Sequence, residues 1–329
     1  MEPRADEPDA TGERPLLSVV VPVLNEREGL AELHRRLEAA LEEVDGRTEV
    51  IYVDDGSTDD SAEVLEGWAR SEDGVVLIQL SRNFGMEVAM SAGIDHARGS
   101  FVVLMHADLQ DPPELIPQML ALAGEGADVV YARRIGSDES ALKRTLATAF
   151  YGLMERLARV PYQGQAGDFR LMSDAVVRAI REMPERRRFL RGMVAWVGFR
   201  QVPIEYRRAG RASGRGASYP QLFRLALEAI ASFSDVPLSV ASYLGLITAT
   251  VSGLAGLVLL VLTLVGALAA SGELWILVSV LFLGGVQLIT IGILGRYLAR
   301  VHEESLHRPL YVASRVVERG RTREDGPAV

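Results

Sequence analysis

The chain has 329 residues, of which 48% are apolar, and its formal net charge is −9 at pH 7. This length allows one large domain or two ordinary ones, and the negative charge disfavours nucleic acid as a partner. Because the sequence contains no cysteine, disulfide and thiolate chemistry are excluded and a reducing compartment is favoured.

The first segment, residues 1–15, is acidic and contains several prolines. It lacks the apolar core of a signal peptide. We therefore expect a disordered acidic tail.

Apolar runs of strand length alternate with helical patterns from Leu16 onward. The predicted strands are 16–23, 49–53, 75–80, 101–105 and 128–132. The predicted helices are 30–44 with Asn25 as its cap, 59–70, 86–97, and one that begins at Pro113 with Asp111 as its cap. This alternation is typical of βαβ units and predicts an α/β fold with a mostly parallel, doubly wound sheet.

Polar residues follow three of these strands, at Asn25-Glu26, at 54–59 and at 106–111. Ligands of such sheets bind beyond the carboxyl ends of the strands, so the three clusters are candidate binding residues. The sequence has neither a GxGxxG motif after the first strand nor a GxxxxGK[ST] motif, so the usual dinucleotide and P-loop sites lack support.

The second and third clusters each allow two interpretations. Asp54 and Asp55 can accept hydrogen bonds from a base or ribose, or they can form an Asx turn before a helix. Asp108, Gln110 and Asp111 offer the oxygen ligands that Mg²⁺ prefers when it binds with substrate phosphates. They can equally serve as capping residues before Pro113.

The pattern loosens after residue 132. Arg133 and Arg134 begin a basic segment, and 164–170 (GQAGDFR) is predicted to be a glycine-rich turn that carries Asp168 and Arg170. These two residues can act at a site or form a structural ion pair. A helix at 219–233 is amphipathic and directly precedes an apolar run, which favours a position in the membrane interface over one in a core.

Two long runs, 236–272 and 274–295, contain no charged residue. Each is long enough to cross a bilayer as a helix, although two buried core helices are the alternative. Arginines cluster before the first run and after the second, which predicts that both ends lie in the cytoplasm.

Several motifs together resemble glycosyltransferase family 2, in its branch of polyisoprenyl-phosphate glycosyltransferases. They are VVPVLNE, VDDGSTDDS, SRNFGMEVAMSAGIDHARG, HADLQDPPE, GDFRLMS and the ending GRY…RPLY. The resemblance runs in order from Leu16 to Tyr311. It implies a GT-A fold and inverting transfer of a sugar from a UDP- or GDP-linked donor to a membrane polyprenyl phosphate.

The resemblance also implies roles for particular residues. The nucleotide-binding candidates are Pro22, Asn25, Glu26, Asp54 and Asp55. A divalent cation, Mg²⁺ or Mn²⁺, is expected at Asp108, Gln110 and His106, and the catalytic candidates are Asp168 and Asp108. The candidates for the acceptor phosphate are Arg133, Arg134, Arg170, Arg211 and Arg215.

The chain departs from the family pattern at two places. His106-Ala107-Asp108 stands where the family usually has Asp-x-Asp, and imidazole suits transition ions better than Mg²⁺. The segment Gly216-Ala217-Ser218-Tyr219 lacks the family's lysine, so either Arg211 or Arg215 supplies that charge or the role is lost.

The expected organisation is a tail (1–15), a cytoplasmic GT-A domain (16–215), a juxtamembrane helix (216–235), a transmembrane hairpin (236–296) and a cytoplasmic C-terminal segment (297–329). This places the protein in the cell membrane, and the resemblance implies a homo-oligomer. Two alternatives remain. A processive polysaccharide synthase is disfavoured because no Gln-x-x-Arg-Trp motif is present, and a membrane-anchored nucleotide-binding scaffold without catalysis stays open.

Overall fold

The computed structural model of the chain describes residues 14–134, 166–185, 188–206, 265, 272–306 and 308–323. They belong to two compact units. The first unit contains the described residues up to 206 and from 308 onward, and the second contains residues 265 and 272–306. The predicted helix at 219–233 and nearly all of the first predicted span lie outside the described residues.

The first unit is built on one sheet of nine strands within the described residues. The strands are β1 (Leu17–Val23), β2 (Thr48–Asp54), β3 (Val75–Leu80), β4 (Phe101–Leu104), β5 (Val129–Arg134), β6 (Ala166–Ser173), β7 (Gln201–Tyr206), β8 (Ala313–Glu318) and β9 (Arg321–Arg323). Their order across the sheet is β7-β5-β6-β4-β1-β2-β3-β8-β9. Since β6 and β8 run against the other strands, the predicted mostly parallel sheet is confirmed.

Helices cover both faces of this sheet. They are α1 (Arg27–Glu42), α2 (Ser61–Ser71), α3 (Met86–His96), a 3₁₀ turn (Pro113–Leu115), α4 (Ile116–Gly124), α5 (Asp174–Glu182) and α6 (Leu190–Trp196). One core cluster joins α1, α2 and α4 to the first face. A second cluster joins α3, α5 and α6 to the other face. The doubly wound arrangement is therefore confirmed.

The glycine-rich turn predicted at 164–170 is wrong, because most of this segment belongs to β6. Strand β6 lies between β4 and β5 and is antiparallel to both. Phe169 and Leu171 are fully buried in one core cluster, so their burial outweighs the turn tendency of the glycines. The C-terminal segment also contributes to the sheet, because β8 pairs with β3.

The two predicted helix caps are not seen. Glu26, rather than Asn25, occupies the N-cap position of α1 and makes no side-chain capping bond. Pro112 precedes the 3₁₀ turn, and the Asp111 carboxylate instead accepts a hydrogen bond from the backbone N–H of His106 at 3.0 Å. Both side chains predicted as caps thus bind loop backbone at the carboxyl edge of the sheet.

The described part of the second unit is chiefly α7 (Gly272–Ser305), a helix of 34 residues. It contains the second charge-free run, 274–295. Among the helices of the described residues, none combines the length and hydropathy required of a membrane span.

Candidate active site

The three predicted polar clusters meet at one edge of the sheet. Val23 of β1 pairs with Asp54 of β2, and Val20 pairs with Leu104 at the end of β4. Because these strands are parallel, the residues that follow them emerge side by side. The register therefore brings together side chains that are far apart in the sequence.

A cavity of about 260 Å³ opens at this edge. Each of the three clusters contributes lining residues, namely Glu26, Asp55, and the trio His106, Ala107 and Asp108. The other lining residues are Pro22, Val23 and Leu24 at the end of β1 and Met86 of α3. Of the predicted nucleotide-binding residues, Pro22, Glu26 and Asp55 are present. Of the predicted metal residues, His106 and Asp108 are present.

Asn25 and Asp54 do not line this cavity but shape the turn beside it. The Asn25 side-chain oxygen accepts a hydrogen bond from the backbone N–H of Thr58 at 2.8 Å. An Asp54 carboxylate oxygen accepts one from the N–H of Ser57, three residues further on, at 3.0 Å, whereas an Asx turn would bond the residue two positions on. Both residues thus fix the backbone between β2 and α2.

Asp55 anchors the loop before α3. Its two carboxylate oxygens accept hydrogen bonds from the backbone N–H groups of Phe84 at 2.7 Å and Gly85 at 2.9 Å. Burial raises the pKa of Asp55, although these two bonds oppose the effect. The next residue, Gly56, has φ +76°, and a Cβ there would lie 2.8 Å from the Arg82 carbonyl carbon. Glycine allows the two loops to touch.

The cavity concentrates negative charge. Burial raises the pKa of Glu26, and the nearby charges of Asp108 and Asp59 raise it further. The Oε1 atom of Gln110 is buried and has no hydrogen-bond partner, which is costly for a polar atom. Carboxylates that repel one another, with an unpartnered amide oxygen two residues after Asp108, are ligand types that suit a cation.

Two non-glycine residues beside the cavity have positive φ angles, Asn25 at 56° and Leu109 at 59°. Such backbone conformations cost about 1–3 kcal/mol each and persist where the surrounding structure imposes them. Each adjoins a residue that lines the cavity, Glu26 or Asp108. The strain therefore accompanies the candidate site.

Strand β6 brings Asp168 to His106. Leu104 pairs with Arg170 in the antiparallel register of β4 and β6, so position 168 lies opposite position 106. The His106 Nε2 atom lies 3.1 Å from Asp168 Oδ2. Sequence reasoning had placed both residues at the site but had not paired them.

The same carboxylate receives a second basic residue, Arg191. Its Nε lies 2.5 Å from Oδ1 of Asp168, and its Nη2 lies 2.5 Å from Oδ2. Burial alone would raise the pKa of Asp168, but hydrogen bonds from Arg191 and His106 outweigh it and the pKa is strongly lowered. Burial alone would lower the pKa of His106, yet the bond to Asp168 and the charge of Asp111 raise it. The Asp168 carboxylate is thus held between the Arg191 guanidinium and the His106 ring.

Arg191 and Glu87 are the residues that sequence reasoning missed. The periodicity of Leu190, Met193 and Val194, all buried, could have predicted α6. No local signal pairs Arg191 with an aspartate 23 positions earlier. Glu87 looks like an ordinary helix residue, yet its carboxylate accepts a hydrogen bond from the N–H of Leu190 at 3.0 Å, and burial raises its pKa.

The predicted acceptor arginines have different surroundings. Arg133 forms an ion pair with Glu205 on the neighbouring strand. Arg170 is 3% exposed, and its Nη2 donates to the Gly167 carbonyl at 2.8 Å. Arg134 ends β5 at the same edge of the sheet. The other two candidates, Arg211 and Arg215, lie outside the described residues.

One further group of possible metal ligands lies on α1 and α2. Among the described His, Asp and Glu residues, only His34, Glu38 and Glu72 form a set of three with ligand atoms within 4.8 Å of one another. The buried Tyr52 hydroxyl bonds to His34 Nδ1 at 2.9 Å, and Glu72 bonds to Nε2 at 2.8 Å.

The simplest tautomer of His34 lets Tyr52 donate to Nδ1 and lets Nε2–H donate to Glu72. A metal on Nε2 would put the proton on Nδ1 and leave the Tyr52 hydroxyl without an acceptor, at a cost of about 1–3 kcal/mol. His34 also stacks on Trp68, with ring centroids 4.1 Å apart. We interpret this group as part of the core.

Comparison with known proteins identifies similar sequences. Residues 18–181 match the model of "Glycosyl transferase family 2". A bactoprenol glucosyl transferase of Shigella phage SfV is 42% identical over 298 residues, 90% of this chain and 97% of that protein. A prophage bactoprenol glucosyl transferase homolog of Escherichia coli K12 is 39% identical over 302 residues, 91% of this chain and 99% of that protein.

Among solved structures, one similar chain is glucosyl-3-phosphoglycerate synthase from Mycobacterium tuberculosis, in complex with Mn²⁺, UDP and glucosyl-3-phosphoglycerate. The TM-score is 0.47 at 20% sequence identity, and the match covers 66% of this chain and 78% of that chain.

Proposed function

The chain belongs to glycosyl transferase family 2, and we propose that it transfers a sugar from a nucleotide sugar to a membrane polyprenyl phosphate, with inversion at the sugar carbon. Relatives named bactoprenol glucosyl transferase, similar over nine-tenths of the chain, support this acceptor. The carboxyl-edge cavity is the observation that carries the proposal, because it joins Pro22, Glu26 and Asp55 to His106 and Asp108. Its sheet is the GT-A-like α/β arrangement.

We place the nucleotide-sugar donor at the carboxyl edge of the sheet. The residues assigned to the nucleoside are Pro22, Asn25, Glu26, Asp54 and Asp55. They act either by contacting it or by fixing the turn after β2. The diphosphate lies toward Asp108, so the sugar reaches the wall formed by His106 and Asp168. The nucleoside, uridine or guanosine, is left open by these contacts.

The family resemblance implies a divalent cation, Mg²⁺ or Mn²⁺, and the residues present fit one. Asp108 would hold it from the exposed side, and the unpartnered Gln110 Oε1 would complete an oxygen set with the donor diphosphate. When bound, such a cation neutralises charge on the leaving diphosphate. His106 remains a proposed ligand, although its Nε2 contacts Asp168.

The lipid phosphate supplies the nucleophile. Phosphate monoesters are ionised at neutral pH, so the attacking oxygen requires no strong base. It forms a bond to the anomeric carbon while the bond from that carbon to the diphosphate breaks on the opposite face. Because the pKa of Asp168 is strongly lowered, we assign this residue to orienting Arg191 and His106 rather than to accepting a proton. The cations proposed to bind the acceptor phosphate remain Arg133, Arg134, Arg170, Arg211 and Arg215.

The acceptor also gives the apolar segments a role. We assign 216–235 to the membrane interface and 236–296 to a membrane hairpin, because a polyprenyl chain stays in the bilayer. The charge-free runs and the flanking arginines support this topology. The proposed location is the cell membrane, with the catalytic domain and both termini in the cytoplasm and the chain in a homo-oligomer.

The test uses full-length protein with labelled UDP- and GDP-sugars, Mg²⁺ or Mn²⁺, and polyprenyl phosphate in liposomes. We expect label in the lipid phase, and Asp108→Asn should lower this transfer by about 100-fold or more. Asp73→Asn is the matched control, since Asp73 is exposed and pairs with Arg319 at the surface. Nucleotide binding without transfer would instead support the scaffold alternative.

A further inference from the structure

Asp168 is held more firmly than a surface acid would be. Its two carboxylate oxygens meet the Nε and Nη2 atoms of Arg191 in a fork, and Oδ2 also meets Nε2 of His106. Only 9% of Asp168 is exposed. A bidentate arginine pair fixes the plane of a carboxylate, whereas a single ammonium group would let it rotate.

Arg191 is in turn positioned by a contact between α6 and α3. Helix α6 begins at Leu190, whose N–H donates to the Glu87 carboxylate in the first turn of α3. The loop that leads into α3 is bound by Asp55 through the N–H groups of Phe84 and Gly85.

These contacts form a series that begins and ends at the cavity. It runs from Asp55 through α3 to Glu87, through α6 to Arg191, and through Asp168 to His106. Asp55 and His106, the two ends of this series, both line the cavity. A displacement of any member therefore moves a wall of the cavity.

We infer that Arg191 is a positioning residue of the transfer site, which fixes the plane of Asp168 and through it the place of the His106 ring at the cavity wall. This inference rests on the proposed function for its catalytic consequence. Glu87 has the same positioning role, because its contact with the Leu190 N–H fixes the start of α6. Arg191 itself need not touch the substrate.

The test compares Arg191→Lys and Arg191→Ala with Arg178→Ala. Arg178 is a matched control, because it pairs with Asp174 at 3.2 Å on the surface of α5, away from the cavity. Both Arg191 variants should lose about 100-fold in kcat, the effect of a displacement near 1 Å. The KM for the nucleotide sugar should stay within about 3-fold, because the donor residues are unchanged. Added guanidinium should restore part of the turnover of Arg191→Ala but should not affect Arg178→Ala.

A second measurement is independent of turnover. The chain has five histidines, so ¹⁵N-histidine NMR with His106→Asn as the assignment control can identify the His106 ring signals. Arg191→Ala should shift these signals, and Arg178→Ala should not. If the parent transfers no sugar, the proposed function fails, while the His106 signals still test the positioning role. Unshifted signals, or parent-like kcat in Arg191→Ala, would overturn the inference.

Discussion

The central strands of the sheet and the two strands that run against their neighbours are assembled differently. In the order β4-β1-β2-β3 all neighbours are parallel, and the strands come from one continuous stretch, 17–104. Strands β6 and β8 instead enter from distant segments, so that Val103 pairs with Leu171 and Ile78 with Val316. The chain thus has a locally built centre that is completed by remote strands.

The candidate site lies where these two regions meet. The central strands supply Glu26, Asp55 and Asp108, and β6 supplies Asp168 beside His106. An active site at such a junction combines a rigid donor pocket with residues whose placement depends on long-range pairing. The predictions below test the centre, then an added strand, then the contact between the regions.

The largest effect on stability is expected at the centre. A Cβ on Gly93 of α3 would lie 2.2 Å from Cγ1 of Val20, which is fully buried in β1. Gly93→Ala should therefore destabilise the fold by about 3 kcal/mol, since a packed core cannot absorb the methyl group without shifting. The measurement is the melting temperature of the full-length protein.

Gly67→Ala is the control for this variant. Gly67 lies in α2, and a Cβ there meets no atom within 4 Å. Alanine should stabilise that helix by roughly 0.5–1 kcal/mol. Similar melting temperatures for both variants would mean that α3 is not packed tightly on β1.

The added strand β8 should give a smaller effect. Val317 is fully buried against the core of the first face, so Val317→Ala should destabilise by about 2 kcal/mol through lost burial and the cavity it leaves. Val316→Ala, on the same strand but only partly buried, should cost less. If Val317→Ala leaves the melting temperature of the main unfolding transition unchanged, β8 detaches independently of the central strands.

Strand prediction succeeded where burial was continuous. All five predicted strands are present, and the two bounds of each fall within two residues of those predicted, because long apolar runs between helical patterns have few other structures. Strand β6 was missed because Gly167, Asp168 and Arg170 resemble a turn. In the fold those polar residues are buried, and their partners come from other parts of the chain.

The candidate site, like the fold, was predicted from the sequence only in part. Residues that directly follow a strand, such as Glu26 and Asp108, could be placed at the edge from topology alone. Their partners could not, because hydrogen bonds such as those of Asp55 to Phe84 and of Asp168 to Arg191 depend on loop geometry. The sequence also offered Arg170 as the partner of Asp168; its Nε donates to the Asp168 carbonyl oxygen and its Nη2 to that of Gly167.

The smallest effect is expected where the two regions are linked through helices: Glu87 of α3, within the central stretch of the chain, accepts a hydrogen bond from the N–H of Leu190 of α6, which follows β6 in the sequence. Burial raises the pKa of Glu87 above its usual 4.5. Its contribution to stability is therefore complete below the unfolded-state pKa and is lost as the pH rises through the higher folded-state pKa. Glu87→Gln keeps an acceptor for Leu190 and removes the charge, so its melting temperature should exceed that of the parent at pH 8.

The difference in melting temperature between Glu87→Gln and the parent should grow only as the pH rises. Near pH 4 the parent Glu87 is largely protonated in both states, so the two melting temperatures should converge, and they should separate as the pH rises through the folded-state pKa. Glu63→Gln, an exposed change on α2, should show no such separation. A parent that melts above Glu87→Gln at pH 8 would instead mean that the Glu87 charge stabilises the fold through Arg191 and Arg170. The two regions would then be joined by an ion pair rather than by the neutral hydrogen bond to Leu190.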